Sequence, residues 1–198
     1  MLKFIYLLIY FLATKIIPAM GTSWNSFDPT FMIIQKIFFV LLSILFFKNE
    51  LIESFKKIEL KKTMSTVLIA LTLLLLTYVI MATLLDTTLN FATYSWTISF
   101  FLESILFAPF IEEIVYRYCF LSSNHSYVKL GMMLISSLLF AFSHAAAASY
   151  SLILLIPFLV LGLILSTIYI IKNNIWYSIF THFFCNLIIF VMPLIISS

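Results

Sequence analysis

Two adjacent glutamates and an arginine, Glu112-Glu113-Ile-Val-Tyr-Arg117, stand inside a strongly apolar stretch, and Arg117 is the only arginine in the chain. Charge at membrane depth costs on the order of 3 kcal/mol per residue or more unless it is paired or wetted, so it usually marks a functional site. Read as helix, Glu113 and Arg117 are four apart with the acid first, so they share a face and can pair. Glu112 is turned by about 100° and points elsewhere. One carboxylate can then neutralise the arginine while the other stays available for acid–base chemistry. The plainer reading is that all three clamp helices together.

Two further pairs follow. In Phe140-Ala-Phe-Ser-His144 the phenyl ring shares a face with the imidazole and could wall it. A lone histidine in such a place more often packs than catalyses. In His182-Phe-Phe-Cys-Asn186 the four-residue spacing stacks imidazole and carboxamide on one face. Such a pair can bind a metal, orient a water or donate to an oxyanion. Each element is a modest signal alone; the three together form a polar constellation for intramembrane acid–base chemistry.

The elements that must position these residues are apolar. Of 198 residues, 64% are hydrophobic and 10% charged, and mean hydropathy is +1.17. A soluble domain is nearer half apolar. One all-α, polytopic transmembrane helix bundle is expected. Stretches near the roughly 20 residues that span a bilayer cover 2–18, 31–47, 64–85, 94–120, 131–148, 150–171 and 175–196. That makes seven membrane helices, the fourth long enough to be tilted or broken at Pro109. Residues 1–93 hold the first three and 94–198 the constellation. Polar breaks fall at Gly21–Thr30, Lys48–Thr63, Asp86–Thr93, Ser122–Lys129 and Lys172–Asn174. The weak break at 146–150 predicts a tight hairpin or a displaced boundary.

Loop charge sets orientation. Lys48, Lys56, Lys57, Lys61 and Lys62 put the 48–63 loop in the cytoplasm. Alternation adds Lys3, Lys129 and Lys172, and leaves the loops at Asp28, Asp86 and Ala147 outside. The N-terminus is expected in the cytoplasm and the C-terminus outside. Lys15 and Lys36 dissent, near the outer ends of the first two stretches, where they could snorkel. Trp24, Trp96 and Trp176 suit interfacial anchoring. Lys3, an apolar run and Ala19-Met20-Gly21 loosely imitate a signal peptide, although Lys15 interrupts the run. At 1.5 Å per residue, Glu112 lies about 18 Å from Asn124, His144 about 22 Å from Lys129, and His182 about 15 Å from Lys172. Ordinary tilt lets the three helices meet at one level, expected somewhat below the cytoplasmic surface and wetted from the cytosol.

Other residues carry less. Cys119 and Cys185 lie in apolar runs and give no disulfide framework. Cys185 could form a thiol–imidazole pair with His182, but a packed small residue is the plainer reading. His125 is expected in solvent, Asp86 capping a loop. Glu103 stands without an evident partner. No basic and aromatic patch points to nucleic acid.

The three motifs, in this order on three apolar segments, resemble the CPBP family of intramembrane endopeptidases (CAAX protease and bacteriocin-processing, also called Abi), related to the type II CAAX prenyl proteases. The resemblance covers roughly 94–196. It implies proteolysis of a membrane-associated peptide or protein, with Glu112, His144, His182 and Asn186 at catalytic positions and Glu113 and Arg117 supporting them. The family commonly has about eight helices.

In a metal-free mechanism Glu112 is the general base, and His144 holds the same water and passes a proton to the leaving amine. His182 and Asn186 donate to the oxyanion, while Arg117 neutralises Glu113. Alternatively Glu112, His144 and His182 hold a divalent metal such as Zn2+ with a water in the fourth position, although the H-E-x-x-H spacing is absent. Two other classes stay open: a non-enzymatic bacteriocin-immunity or peptide-sensing membrane protein, and a proton-coupled transporter. The latter usually shows repeated halves, and none is found. The lysine-over-arginine composition resembles that of an AT-rich bacterium. That implies a bacterial plasma membrane and a leader peptide, bacteriocin or signalling peptide as substrate.

Overall fold

The computed structural model describes residues 1–16, 29–84, 97–123 and 125–196. All of its regular elements there are helical. α1 covers Leu2–Phe11 and continues as a π-helical turn over Leu12–Ile16. α2 is Pro29–Phe55 and α3 is Leu60–Leu84. α4 is composite: Ile98–Phe100, a π segment Phe101–Phe107, an α turn Ala108–Glu113 and a second π segment Ile114–Cys119. α5 is Ser126–Ser143, α6 is Ile156–Lys172 and α7 is Ile175–Ile196. Each apolar stretch of the sequence thus yields one helix. By length and composition, Phe31–Phe55 and Leu60–Thr83 are able to cross a membrane, and three further apolar helices are shorter.

Three helix boundaries bear on expectation: the first departs from it, and the other two decide between alternatives that the sequence left open. The polar stretch 48–63 is mostly helix: α2 runs through Lys48, kinks at Phe47 (φ −128°, ψ 17°), and breaks only over residues 56–59. Lysine and glutamate are good helix formers, so charge there marks solvent rather than a stop. At Pro109 α4 is not broken; it changes from π to α register. The 146–150 boundary is displaced. α5 stops at Ser143, and residues 144–155 wind through turns, with Ser149 and Tyr150 at φ 49° and 57°.

The halt at Ser143 has a local cause. His144 leaves helical geometry (φ −99°, ψ 13°), and its main-chain N–H bonds to Ala141 O at 2.9 Å rather than to Phe140 O. Its imidazole Nδ1 takes the Phe140 carbonyl instead, at 2.8 Å. The side chain substitutes for its own backbone donor, and the alanines that follow cannot restore the helix.

α7 runs through the middle, packed against α2, α3, α4 and α6, while α5 lies along α6. Small residues allow that last approach: a Cβ on Gly162 would meet the Ser137 backbone at 3.1 Å. α1 joins the core through Tyr6, whose hydroxyl meets Ser43 Oγ at 2.8 Å, and through Tyr10 against Phe39.

Contacts gather the lysine-bearing segments at one end of the bundle. Lys3 Nζ donates to Tyr118 O, Asn174 Nδ2 to Ser54 O, Trp176 Nε1 to Leu51 O, and the Glu59 N–H to the Tyr177 hydroxyl. The segments expected on a common side of the membrane therefore share an end. Lys36 does not snorkel. It turns inward to Glu103 Oε1 at 3.3 Å, which gives Glu103 the partner its sequence context did not disclose. His125 is exposed, as expected. The readings placed on Ala19-Met20-Gly21, Trp24, Asp28, Asp86, Trp96 and Asn124 lie outside the described residues.

Candidate active site

Glu113 and Arg117 are fully buried, with Arg117 Nη1 donating to Glu113 Oε1 at 2.8 Å. Two uncompensated charges in such a place would be strongly destabilising, so their environment matters. Arg117 Nη2 also donates to Gly162 O at 3.1 Å, and the guanidinium carbon stands 4.6 Å from the centre of the Phe140 ring. α6 and α5 therefore add to the arginine's surroundings, the latter by a cation–π contact, while Arg117 Nε and Glu113 Oε2 are buried without a hydrogen-bond partner among the described residues. Glu113 Oε1 accepts a second bond, from His182 Nδ1 at 2.9 Å. Arg117, Glu113 and His182 form one chain of charge-assisted bonds joining α4 to α7.

That chain fixes the proton on His182. A carboxylate accepts only, so Nδ1 carries a hydrogen, and Nε2 is the nitrogen turned toward Glu112, an acceptor wherever the ring holds a single hydrogen. His144 is fixed in the same way, because the Phe140 carbonyl can only accept from its Nδ1. Its ring is held between Phe140, at 4.7 Å, and Phe158, stacked at 4.6 Å and 19°. Both Nε2 atoms then face Glu112 Oε2, each at 3.9 Å. This carboxylate oxygen is buried without a hydrogen-bond partner among the described residues. Two imidazole lone pairs and a carboxylate oxygen converge on one place. Such a donor set favours a shared proton, an ordered water or a cation.

Asn186 lies one turn beyond His182, and its Nδ2 donates to Ser104 O at 3.0 Å. The availability of that carbonyl follows from the sequence. In the π register of Phe101–Phe107 the Ala108 N–H bonds to Glu103 O. The corresponding partner of Ser104 O would be the nitrogen of Pro109, which has no hydrogen. Proline leaves the carbonyl open and asparagine takes it. The second Nδ2 hydrogen of Asn186 remains to be donated. Glu112, His144, His182 and Asn186 all line one cavity of about 240 Å³, whose apolar wall includes Phe140 and Phe158. Two larger apolar clefts, about 780 and 550 Å³, share Phe110 and Trp176 and contain none of the polar constellation.

All seven residues singled out in the sequence are thus brought together: Glu112, Glu113, Arg117, Phe140, His144, His182 and Asn186. The geometry adds residues that sequence reasoning missed. Phe158 and Gly162 come from α6, where nothing in an apolar run distinguishes a ring that stacks or a carbonyl that accepts. Ser104 has a signal in hindsight, since it sits at the position whose π-helical partner would be Pro109. His144 caps α5 rather than lying within it. Cys185 is buried, and both His182 nitrogens face carboxylates instead.

For a metal, the residues to consider are Glu112, His144 and His182, whose three facing acceptors suit a divalent cation in type and number. Their spacing is looser than a formed site: no group of three or more His, Cys, Asp or Glu among the described residues is close enough to hold one. The outer support that such ligands need is nevertheless present, through Glu113 on His182 and the Phe140 carbonyl on His144.

Residues 94–188 match the family described as type II CAAX prenyl endopeptidase Rce1-like. This agrees with the family that the motifs resemble, and the matched segment contains all seven residues. No curated protein and no solved structure matches the chain.

Proposed function

We propose, on the premise that the 94–188 segment belongs to the type II CAAX prenyl endopeptidase family, that this chain is an intramembrane endopeptidase. Its substrate is a membrane-associated peptide or protein, and its nucleophile a water activated by Glu112. The family match and the apolar helices point to an integral membrane protein with protease activity at the level of the family. The observation that carries the mechanism is Glu112 Oε2, buried, unpartnered, and 3.9 Å from both His144 Nε2 and His182 Nε2.

Hydrolysis needs a base for water, a donor for the oxyanion and a proton for the leaving amine. Glu112 takes the proton as water attacks the carbonyl carbon. His144, its ring held by Phe140 and Phe158, receives that proton from Glu112 at Nε2 and delivers it to the departing nitrogen. Asn186 donates its second amide hydrogen to the oxyanion. His182 can join it as a donor only where its ring enters the reaction with hydrogen on both nitrogens, since the proton released by water goes to Glu112 and on to the leaving nitrogen. Arg117 offsets the charge of Glu113, so that Glu112 is the carboxylate left to take the proton from water. Were a divalent cation such as Zn2+ resident, Glu112, His144 and His182 would hold it and it would acidify the attacking water. We favour the metal-free form, because Glu113 is committed to Arg117 and His182, and no second base would remain beside a liganded Glu112.

The test is hydrolysis by purified protein in lipid, with membranes of cells expressing the active chain or Glu112→Ala profiled for peptides. Peptides that appear only with the active chain support the assignment. Identical profiles, with unchanged biological effect, support an immunity or sensing protein instead.

A further inference from the structure

We infer that Lys36 is a positioning residue for Asn186. By holding Glu103 it keeps the Phe101–Phe107 segment in the π register that leaves Ser104 O open to the carboxamide. The value of that placement to hydrolysis rests on the peptidase reading above; the register itself does not.

Two consecutive carbonyls of α4 are each taken by a side chain from another helix. Lys36 Nζ, from α2, donates to Glu103 O at 3.3 Å, and Asn186 Nδ2, from α7, donates to Ser104 O at 3.0 Å. Lys36 Nζ also lies 3.3 Å from Glu103 Oε1, in an ion pair whose side chains are only 21% and 18% exposed. Neither residue has a part in the hydrolysis described above. Charge among membrane helices is kept chiefly where it serves a site, and Lys36, Ser104 and Asn186 all line the cavity that holds Glu112.

Register decides what Ser104 O can accept. In an α-helix the Ala108 N–H would bond to Ser104 O, four residues back, and would compete with Asn186 for it. In the π segment the same N–H reaches Glu103 O, five back, and Pro109 has no hydrogen to take its place. The extra residue of the π turn therefore frees the acceptor on which Asn186 rests.

Lys36 distinguishes the two registers because it meets Glu103 twice, at the main chain and at the carboxylate. A return to α register would turn the residues before Ala108 by about 100° relative to those after it. The later part of α4 cannot follow, since Glu113 and Arg117 are fixed to His182 and Gly162. Glu103 would then swing away from α2 and lose both contacts with Lys36. The ion pair thus opposes the one change that would return Ser104 O to its own helix.

The test combines turnover with a readout that needs none. The full chain in lipid nanodiscs, carrying isotopically labelled asparagine, gives a side-chain amide signal for Asn186, assigned by its absence from Asn186→Ala. Lys36→Met should move that signal toward the position of an unbonded amide. Lys36→Arg, which still reaches both Glu103 oxygens, should leave it in place. Turnover is read on a fluorogenic peptide built on a cleavage site mapped by the membrane profiling above. In Lys36→Met kcat should fall about tenfold with KM within about twofold of the parent, and Lys36→Arg should recover it to within about threefold. In an Asn186→Ala background, Lys36→Met should cost less than about twofold more. A raised KM at unchanged kcat would assign Lys36 to the substrate, and an equal loss with or without Asn186 would make the pair a general clamp; either overturns the inference. Should Lys36→Met not accumulate because Glu103 is left unpaired, Lys36→Met combined with Glu103→Leu removes both charges and should show the same shift and loss. A shifted amide in a chain that cleaves nothing would sink the peptidase reading alone. An unmoved amide in an active chain would sink the register lock alone.

Discussion

His182 donates from Nδ1 to Glu113 Oε1 at 2.9 Å, joining α7 to α4 across 69 residues of sequence. That one bond determines which nitrogen of the ring faces Glu112. It also makes Glu113 a shared acceptor, since Arg117 donates to the same oxygen at 2.8 Å. Removing any one of the three leaves the other two mispaired in a water-poor interior.

Arg117→Met should therefore destabilise the protein by about 3–5 kcal/mol, the usual cost of leaving one buried charge without its partner. Pairing it with Glu113→Gln should recover most of that loss, because no net buried charge remains. Unfolding midpoints in mild detergent check both. Equal stability of the single and double variants would contradict the shared-acceptor arrangement.

Gly162 contributes a carbonyl to Arg117 and a close approach to Ser137. In Gly162→Ala the added carbon meets the backbone of Ser137, which cannot yield as a flexible side chain would. The expected cost is about 1–3 kcal/mol from overpacking, with kcat lowered more than KM is raised. A stability change without any change in kcat would show that the α6 carbonyl does not position the arginine.

Pro109→Ala offers a sharper separation of stability from activity. Alanine supplies the N–H that Ser104 O would otherwise receive within α4, and so competes with Asn186 for that carbonyl. The helix should be as stable as before or more so, while turnover falls roughly tenfold as Asn186 loses its anchor. Turnover and unfolding midpoint measured on the same preparation decide it. Unchanged turnover would mean that the carboxamide is held by something else.

Chelation distinguishes the two chemistries. The metal-free account predicts that exhaustive treatment with a chelator leaves hydrolysis within about twofold and the unfolding midpoint unmoved. Loss of activity together with a lowered midpoint, both rescued selectively by zinc, would assign Glu112, His144 and His182 to a metal instead.

Much of this site was legible from residue type and spacing, and the reasons are physical. Charge in an apolar run is costly enough to be conspicuous, so Glu112, Glu113 and Arg117 announced themselves. The four-residue intervals of Glu113–Arg117 and His182–Asn186 survive in the fold because i and i+4 share a helix face. What stayed hidden depends on partners remote in sequence or on local departures from α geometry. Lys36 finds Glu103 across two helices, and nothing in either neighbourhood discloses the other. The π segments of α4 have no compositional marker. Alanines 145–148 read as helix by propensity, yet the His144 imidazole captures the carbonyl that a continuing helix would use.

The account rests on Glu112 as the base that the two imidazoles face, and Glu112→Gln tests it most directly. The substitution keeps the shape of the side chain and removes its ability to accept a proton from water. Cleavage of substrate by purified Glu112→Gln protein should fall by at least about 10²-fold, with substrate still bound and the unfolding midpoint retained. Hydrolysis at the parent rate by a folded Glu112→Gln protein would contradict the account.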